Sequence, residues 1–224
     1  MLTRRSLMLA GLTVPAVLGA RAALALTPQQ EVLDKARISF DKLITSVEFG
    51  ELPGYMKRAK AVLIFPELYK GGFILGAEGG RGVLSARGAG GWSQPAFYDL
   101  VAGSLGLQIG GQVSEVVLTI MSDKALNALL ANQLKFGGDM SIAVGPIGKG
   151  LGADTTTNMQ ADVYSFAKTA GLFGGVSFEG AGIIKKDDWN AAYYGQGATP
   201  RGIVIEGKFK NPNTQALLKS LQPY

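Results

Sequence analysis

Six cations fall within one short stretch of the chain: Lys57, Arg58, Lys60, Lys70, Arg81 and Arg87. Lysine and arginine at that density suit one kind of chemistry, the holding of an anion by charge and by N–H donation. Residues 57–91 oppose them only with Glu67 and Glu78, a net +4, whereas residues 92–165 carry three lysines against six acids, a net −3. Such asymmetry is either a basic face for an anionic partner or a solvated charged face. The remaining reactive groups are carboxylates, among them Asp154, Asp162, Glu179, Asp187 and Asp188. A pair of them at glycosidase spacing is not visible in sequence. Histidine and cysteine are absent. That excludes a Ser-His-Asp or Cys-His nucleophile, a thiolate, a disulfide and a Cys/His zinc site. No catalytic residue, cofactor or metal is expected.

The cations are interleaved with glycine. YKGGFILGAEGGRGVLSARG, Tyr69 to Gly88, holds seven glycines, including Gly71, Gly72, Gly76, Gly80 and Gly82. A phosphate loop would need G-x-x-x-x-G-K-[ST], and a dinucleotide fold G-x-G-x-x-G; neither string occurs. These glycines, and the later pair Gly174-Gly175, are therefore expected to be structural, serving tight turns and close strand packing.

The elements that must position the cations follow from periodicity. Residues 28–49 place Val32, Leu33, Ala36, Phe40, Leu43, Ile44 and Val47 on one face of an amphipathic helix. Thr27 is its expected N-cap, Pro28 its first-turn proline and Gln30 its capping-box partner. Leu33, Phe40, Leu43 and Val47 are candidate membrane contacts, since an apolar stripe either packs on its own domain or lies in a lipid interface. Strands are expected over 61–66, 73–78, 82–87, 104–112, 115–121, 139–144, 161–168 and 172–179, with Gly79-Gly80 as a hairpin turn. A second turn at 88–91 leads to Trp92. Ser122-Asp123 caps a mid-chain helix, and further helices are expected after Asp187 and over 211–221. No βαβ alternation is present. The fold class is α+β: a glycine-rich, mostly antiparallel sheet, curled toward a barrel, with helices at the N-terminus, mid-chain and C-terminus.

The first 25 residues differ from the rest. Arg4 and Arg5 precede an apolar run from Leu7 to Leu18, which closes on Ala23-Leu24-Ala25. This reads as a cleaved export signal, and the arginine pair in TRRSLM resembles a twin-arginine signal, with a plain secretory signal as the alternative. Residues 26–224 would form a single domain in the periplasm, peripheral on a membrane. Removing Arg4, Arg5 and Arg21 lowers the formal charge from +5 to +2. That is too small an excess for a nucleic-acid binder.

Several strings, in order, resemble the SYLF domain family. They are AKAVLIFPELYKGGFILGAEGGRGVL, GGWSQPAFYDLVAGSLGLQIGGQVSEVVLTI, LKFGGDMSIAVGPIGKG, VYSFAKTAGLFGGVSFEGAGI and NAAYYG, together spanning roughly residues 30–222. The resemblance implies a non-enzymatic module that binds anionic phospholipid, phosphoinositides in eukaryotic members, through basic residues and an N-terminal amphipathic segment. The family is also described as an actin-binding domain in yeast. An export signal makes actin an unsuitable partner here, so an anionic phospholipid membrane is the expected partner. A scaffold binding another envelope protein through the sheet face is the alternative, and a carboxylate-dependent hydrolase a more distant one.

Overall fold

A computed structural model describes residues 26–72, 75–105, 112–131, 133–136, 140–146, 161–170, 178 and 180–224. Residues 1–25, Gly174, Gly175, Asp154, Glu179 and most of the strand expected at 172–179 lie outside the described residues.

The chain opens with helix α1 (Pro28–Ile44), in which the Thr27 hydroxyl accepts from the Gln30 amide at 3.2 Å, as an N-cap should. The Gln30 side chain does not complete the expected box. It donates to Asp34 and to the Asn213 carbonyl, and accepts from the Tyr193 hydroxyl. A short helix α2 (Leu52–Arg58) follows, where sequence reading had only a basic stretch. Next come β1 (Ala61–Gly72), β2 (Leu75–Gly88), β3 (Gly91–Trp92), β4 (Ala96–Leu105) and β5 (Gln112–Ile120). Helix α3 (Asp123–Ala131), capped by the Ser122 hydroxyl on the Ala125 amide at 3.1 Å, precedes β6 (Gln133–Lys135). The chain continues through β7 (Ile142–Val144), β8 (Val163–Ala170) and β9 (Gly182–Lys185). Helices α4 (Asp187–Tyr194), α5 (Pro200–Val204) and α6 (Gln215–Leu221) close it.

Among the described residues the strands form one sheet, in the order β6-β9-β4-β2-β1-β5-β8-β7, with β3 paired to β2. Every pair is antiparallel except β7 with β8. The sheet is curled into a half-barrel, and the fold class is α+β as expected. Both faces are covered. Val62, Ile64, Val83, Phe97 and Val117 meet α1, α2 and α6 on one face. Ala61, Leu63, Phe65, Leu84 and Leu118 meet α3 and α5 on the other. Strand β1 is thus buried on both sides, which is why AVLIF is continuously apolar rather than alternating.

Two expectations need correction here. The Gly79-Gly80 pair is not a turn: β2 runs unbroken through it, and the antiparallel pairing of β1 with β2 extends as far as Gly72 with Gly76. Gly71, Gly72 and Gly76 lie at the end of that ladder, with Gly71 opposite Ala77. The need for glycine at 80 and 82 comes from the neighbouring strand. Strand β1 carries one extra residue around Pro66 and Glu67, since its register shifts by one against both β2 and β5. A bulge is where a central strand tolerates proline, which has no N–H for the ladder. The bulged backbone presses on β2. A Cβ on Gly80 would lie 2.1 Å from the Glu67 carbonyl oxygen, and one on Gly82 would lie 2.5 Å from that of Ile64.

The second correction concerns α1. Leu33, Phe40 and Leu43, three of the four candidate membrane contacts, are buried in the core against the sheet, α2 and α6. Val47 alone is exposed, and it lies beyond the helix. The stripe is apolar because it covers the half-barrel. Among the described residues no helix is long and apolar enough to cross a membrane.

Candidate functional site: a basic corner at the end of helix α2

The fold divides the six predicted cations. Lys57, Arg58, Lys60 and Arg87 converge where α2 ends and β1 begins. Lys57 and Arg58 occupy the last helical turn, where the free carbonyls favour positive charge. Both are exposed and make no ion pair among the described residues. The Arg58 guanidinium lies 5.0 Å from the Tyr55 ring centroid, a cation–π contact, and its Nε donates to the Gly54 carbonyl. Lys60 is exposed and pairs with Asp123 at 3.3 Å. Lys124 bears on the same corner through its attraction to Asp162. The five cations face three acids, Glu51, Asp123 and Asp162.

Arg87 is committed differently. Its guanidinium donates to the carbonyls of Ala59 (3.1 Å) and Met56 (2.7 Å) and to the main-chain oxygen of Tyr224. It also lies 4.4 Å from the Trp92 ring centroid. Arg87 therefore closes the C-terminus of α2, and most of its donors are already in use. Lys70 is ten residues along β1 from Lys60, on the order of 30 Å away at strand rise. It sits opposite both Glu78 and Gln112 on the neighbouring strands. Glu78 is buried, and burial pushes its carboxyl above the usual range while Lys70 opposes the shift. Arg81 is also remote from the corner. Its Nε is 3.4 Å from Asp99 and its guanidinium stacks 4.1 Å from the Trp189 ring centroid.

A cavity of about 290 Å³ opens at the basic corner, lined by Tyr55, Arg58, Met121, Ser122, Asp162 and Tyr164. Burial works against the Asp162 carboxylate, yet hydrogen bonds from the Ser122 hydroxyl (2.6 Å) and the Ser141 amide and hydroxyl (3.2 and 3.0 Å) outweigh it and hold its pKa low. Asp162 is thereby an ionised, fully engaged strut between β8 and the ends of β5 and β7, not a spare general base. Sequence reading missed Tyr55. The signal was there: Tyr55 and Arg58 are three residues apart, so a helix brings them onto one face.

Among the described residues the other candidate acids do not converge on Asp162. Asp187 and Asp188 lie in the first turn of α4 and pair with Lys185 (3.4 Å) and Lys186 (3.2 Å). Among the described residues no three acidic side chains come together in a way that could hold a metal. The NAAYYG string also has a structural use. Asn190, fully buried, accepts from the Phe97 amide at 2.8 Å and donates to the Phe97 carbonyl at 3.3 Å, extending the β4 ladder with a side chain. The Tyr194 hydroxyl donates to the Pro95 carbonyl at 2.6 Å.

A second concavity, of about 480 Å³, lies on the helix-bearing face between the first turns of α1, the β1 bulge, β2, β4 and Trp189. Lys35 bridges Glu31 (2.9 Å) and Glu67 (3.0 Å) at its rim, and these hydrogen bonds, that to Glu31 foremost, raise the lysine's pKa. Asp99 lies within it. Burial raises its pKa against Arg81 and Lys186, and its buried Oδ1 makes no hydrogen bond.

The family model described as Ysc84, a Las17-binding protein actin regulator, matches residues 101–224. Similar proteins include the SH3 domain-containing YSC84-like protein 1 of Xenopus laevis, 35% identical over 162 residues, which are 71% of this chain and 48% of that protein. Its human counterpart is 34% identical over 164 residues, covering 68% and 48%. Protein YSC84 of Saccharomyces cerevisiae is 30% identical over 164 residues, covering 71% and 35%. The chain spans less than half the length of each of these relatives. With more than half of its residues matched by the family model, the chain belongs to the Ysc84 family, the family of the SYLF domain.

Proposed function

We propose that this chain is a non-catalytic binding module that docks on anionic phospholipid surfaces through the basic corner at the end of α2. The observation that carries the reading is the exposure of Lys57, Arg58 and Lys60 together beside a helix C-terminus, with Asp123 as their one ion-pair partner among the described residues. Each lysine or arginine near an anionic membrane contributes about 1 kcal/mol, so three supply roughly 3 kcal/mol, or on the order of a hundredfold in partitioning. Salt screens this attraction. In this reading residues 1–25 direct export and are removed, and the module works at the periplasmic side of a bacterial membrane. Replacing Arg4 and Arg5 by lysine would then leave the precursor unprocessed in the cytoplasm. Normal processing of that variant would point to the plain secretory route.

The direct test is co-flotation with phosphatidylcholine vesicles, with and without phosphatidylglycerol, at low and high salt. The expected result is binding to the anionic vesicles only, lost in high salt and in the Lys57→Glu/Arg58→Glu/Lys60→Glu variant. Arg87 is left intact because it holds backbone carbonyls. Binding that ignores vesicle charge, or that survives charge reversal, overturns the basic corner as the contact. A second reading, a scaffold for another protein, is favoured by one observation: Tyr69, Val101 and Ile184 are exposed apolar residues on sheet strands and take no part in the basic corner.

A further inference from the structure

The concavity between α1 and Trp189 has a floor without side chains. Residues Tyr69, Gly79 and Val101 are directly paired across β1, β2 and β4. Tyr69 and Val101 stand 55% and 47% exposed, and Gly79 between them leaves a slot two strand spacings wide, roughly 10 Å. Gly79 is less crowded than Gly80 and Gly82: a Cβ there would meet the Leu100 carbonyl oxygen alone, at 3.3 Å, a tight contact but without the overlap found at 80 and 82. The slot is therefore bounded by two exposed side chains with none between them.

Its charges are unbalanced. Glu31, Glu67 and Asp99 line the groove against Lys35 and Arg81, a net −1. The acids lie on opposite sides of the slot. Glu67 is in the β1 bulge, where it shares Lys35 with Glu31. Asp99 is two residues before Val101 on β4, and the charged neighbours facing it, Arg81 at 3.4 Å and Lys186 at 3.9 Å, are too distant to give strong hydrogen bonds. The Asp99 carboxylate is thus held by long ion pairs rather than short hydrogen bonds, and a cation that reached its exposed part would gain a charge-assisted hydrogen bond. The Tyr69 ring beside it supplies an aromatic face for a cation, as Trp189 already does for Arg81.

We propose that the slot over Gly79, between Tyr69 and Val101, receives a lysine or arginine side chain from an extended segment of a protein partner. The aliphatic stem lies between the Tyr69 ring and Val101, and the charged head meets Glu67 or Asp99. Apolar residues flanking that cation rest on Val32, Pro66 and Trp189. The site is distinct from the basic corner, and its charge selects against the phospholipid surface proposed there.

The protein has two tryptophans, Trp92 and Trp189. In a Trp92→Phe background, Trp189 reports on the groove alone. The probes are the peptides acetyl-Val-Arg-Val-Arg-Val-amide and its glutamate twin acetyl-Val-Glu-Val-Glu-Val-amide. The arginine peptide should give a saturable change in Trp189 fluorescence, and the glutamate twin should bind at least about tenfold more weakly. Gly79→Leu, which fills the slot from its floor, and Tyr69→Ala, at an exposed position, should each weaken the arginine peptide by a similar factor. Both should leave vesicle flotation unchanged, and the charge reversal at Lys57, Arg58 and Lys60 should leave peptide binding unchanged. A melting temperature kept by Tyr69→Ala separates loss of the site from loss of the fold. Equal binding of the two peptides, no saturation below about 1 mM, or undiminished binding in both slot variants would overturn the proposal.

Discussion

Phe40 decides between two uses of helix α1. Its side chain is fully buried, in the cluster that joins α1 to Ile64, Val117 and Leu217, and its ring meets the Tyr224 ring edge-on at 6.0 Å between centroids. Phe40→Ala removes a ring from a packed site that helix and sheet prevent from collapsing, so the loss is about 3–5 kcal/mol. For a domain of this size each kcal/mol moves the melting temperature by roughly 2–4 °C, so the midpoint should fall by about 6–20 °C. Val47→Ala, at 78% exposure, should change stability by no more than about 0.5 kcal/mol. The assay is thermal and urea unfolding followed by far-UV circular dichroism, alongside vesicle flotation of both variants at a temperature where both remain folded. Folded Phe40→Ala should float like the parent. If Phe40→Ala instead kept the parental midpoint but lost flotation, α1 would be the lipid-facing element and the packing argument would fail.

Two further predictions concern strand crowding and buried charge. Gly80→Ala places a Cβ 2.1 Å from the Glu67 carbonyl oxygen and 2.8 Å from Leu68 Cδ2, so it should destabilise by at least about 1–3 kcal/mol. Gly54→Ala, in the interior of α2 with nothing within 4 Å, should stabilise by about 0.5–1 kcal/mol; equal effects of the two in denaturant titrations would contradict the bulge geometry. Glu78 has a folded pKa above its ordinary value of 4.5, first because of burial. A raised carboxyl favours folding only while protonated, so its contribution is complete below pH 4.5 and is lost as pH rises through the folded pKa. Glu78→Gln should therefore raise the melting temperature at pH 7 and lose that advantage toward pH 4. A constant difference across that range would show that Glu78 does not titrate abnormally.

Local chemistry made much of the architecture legible. Thr27 and Ser122 cap the helices that their spacing announced, and the unbroken apolar run from Ala61 to Phe65 marks a strand covered on both faces. The absence of histidine and cysteine by itself excludes thiolate and imidazole catalysis. What sequence alone left open were the relations between segments. A 3.6-residue apolar period says that a helix buries one side, but a bilayer and a sheet ask for the same stripe, and only the packing of Leu33, Phe40 and Leu43 on the half-barrel chose the sheet. A glycine pair suits a turn or a crowded strand equally. The extra residue in β1 at Pro66 and Glu67, on a different strand, made Gly80 a packing requirement and left Gly79 less crowded. Charge clustering in sequence is also not clustering in space. Strand rise carries Lys70 and Arg81 away from Lys60, whereas a helix turn keeps Lys57 and Arg58 beside it, so the tertiary structure alone reduced six cations to one corner.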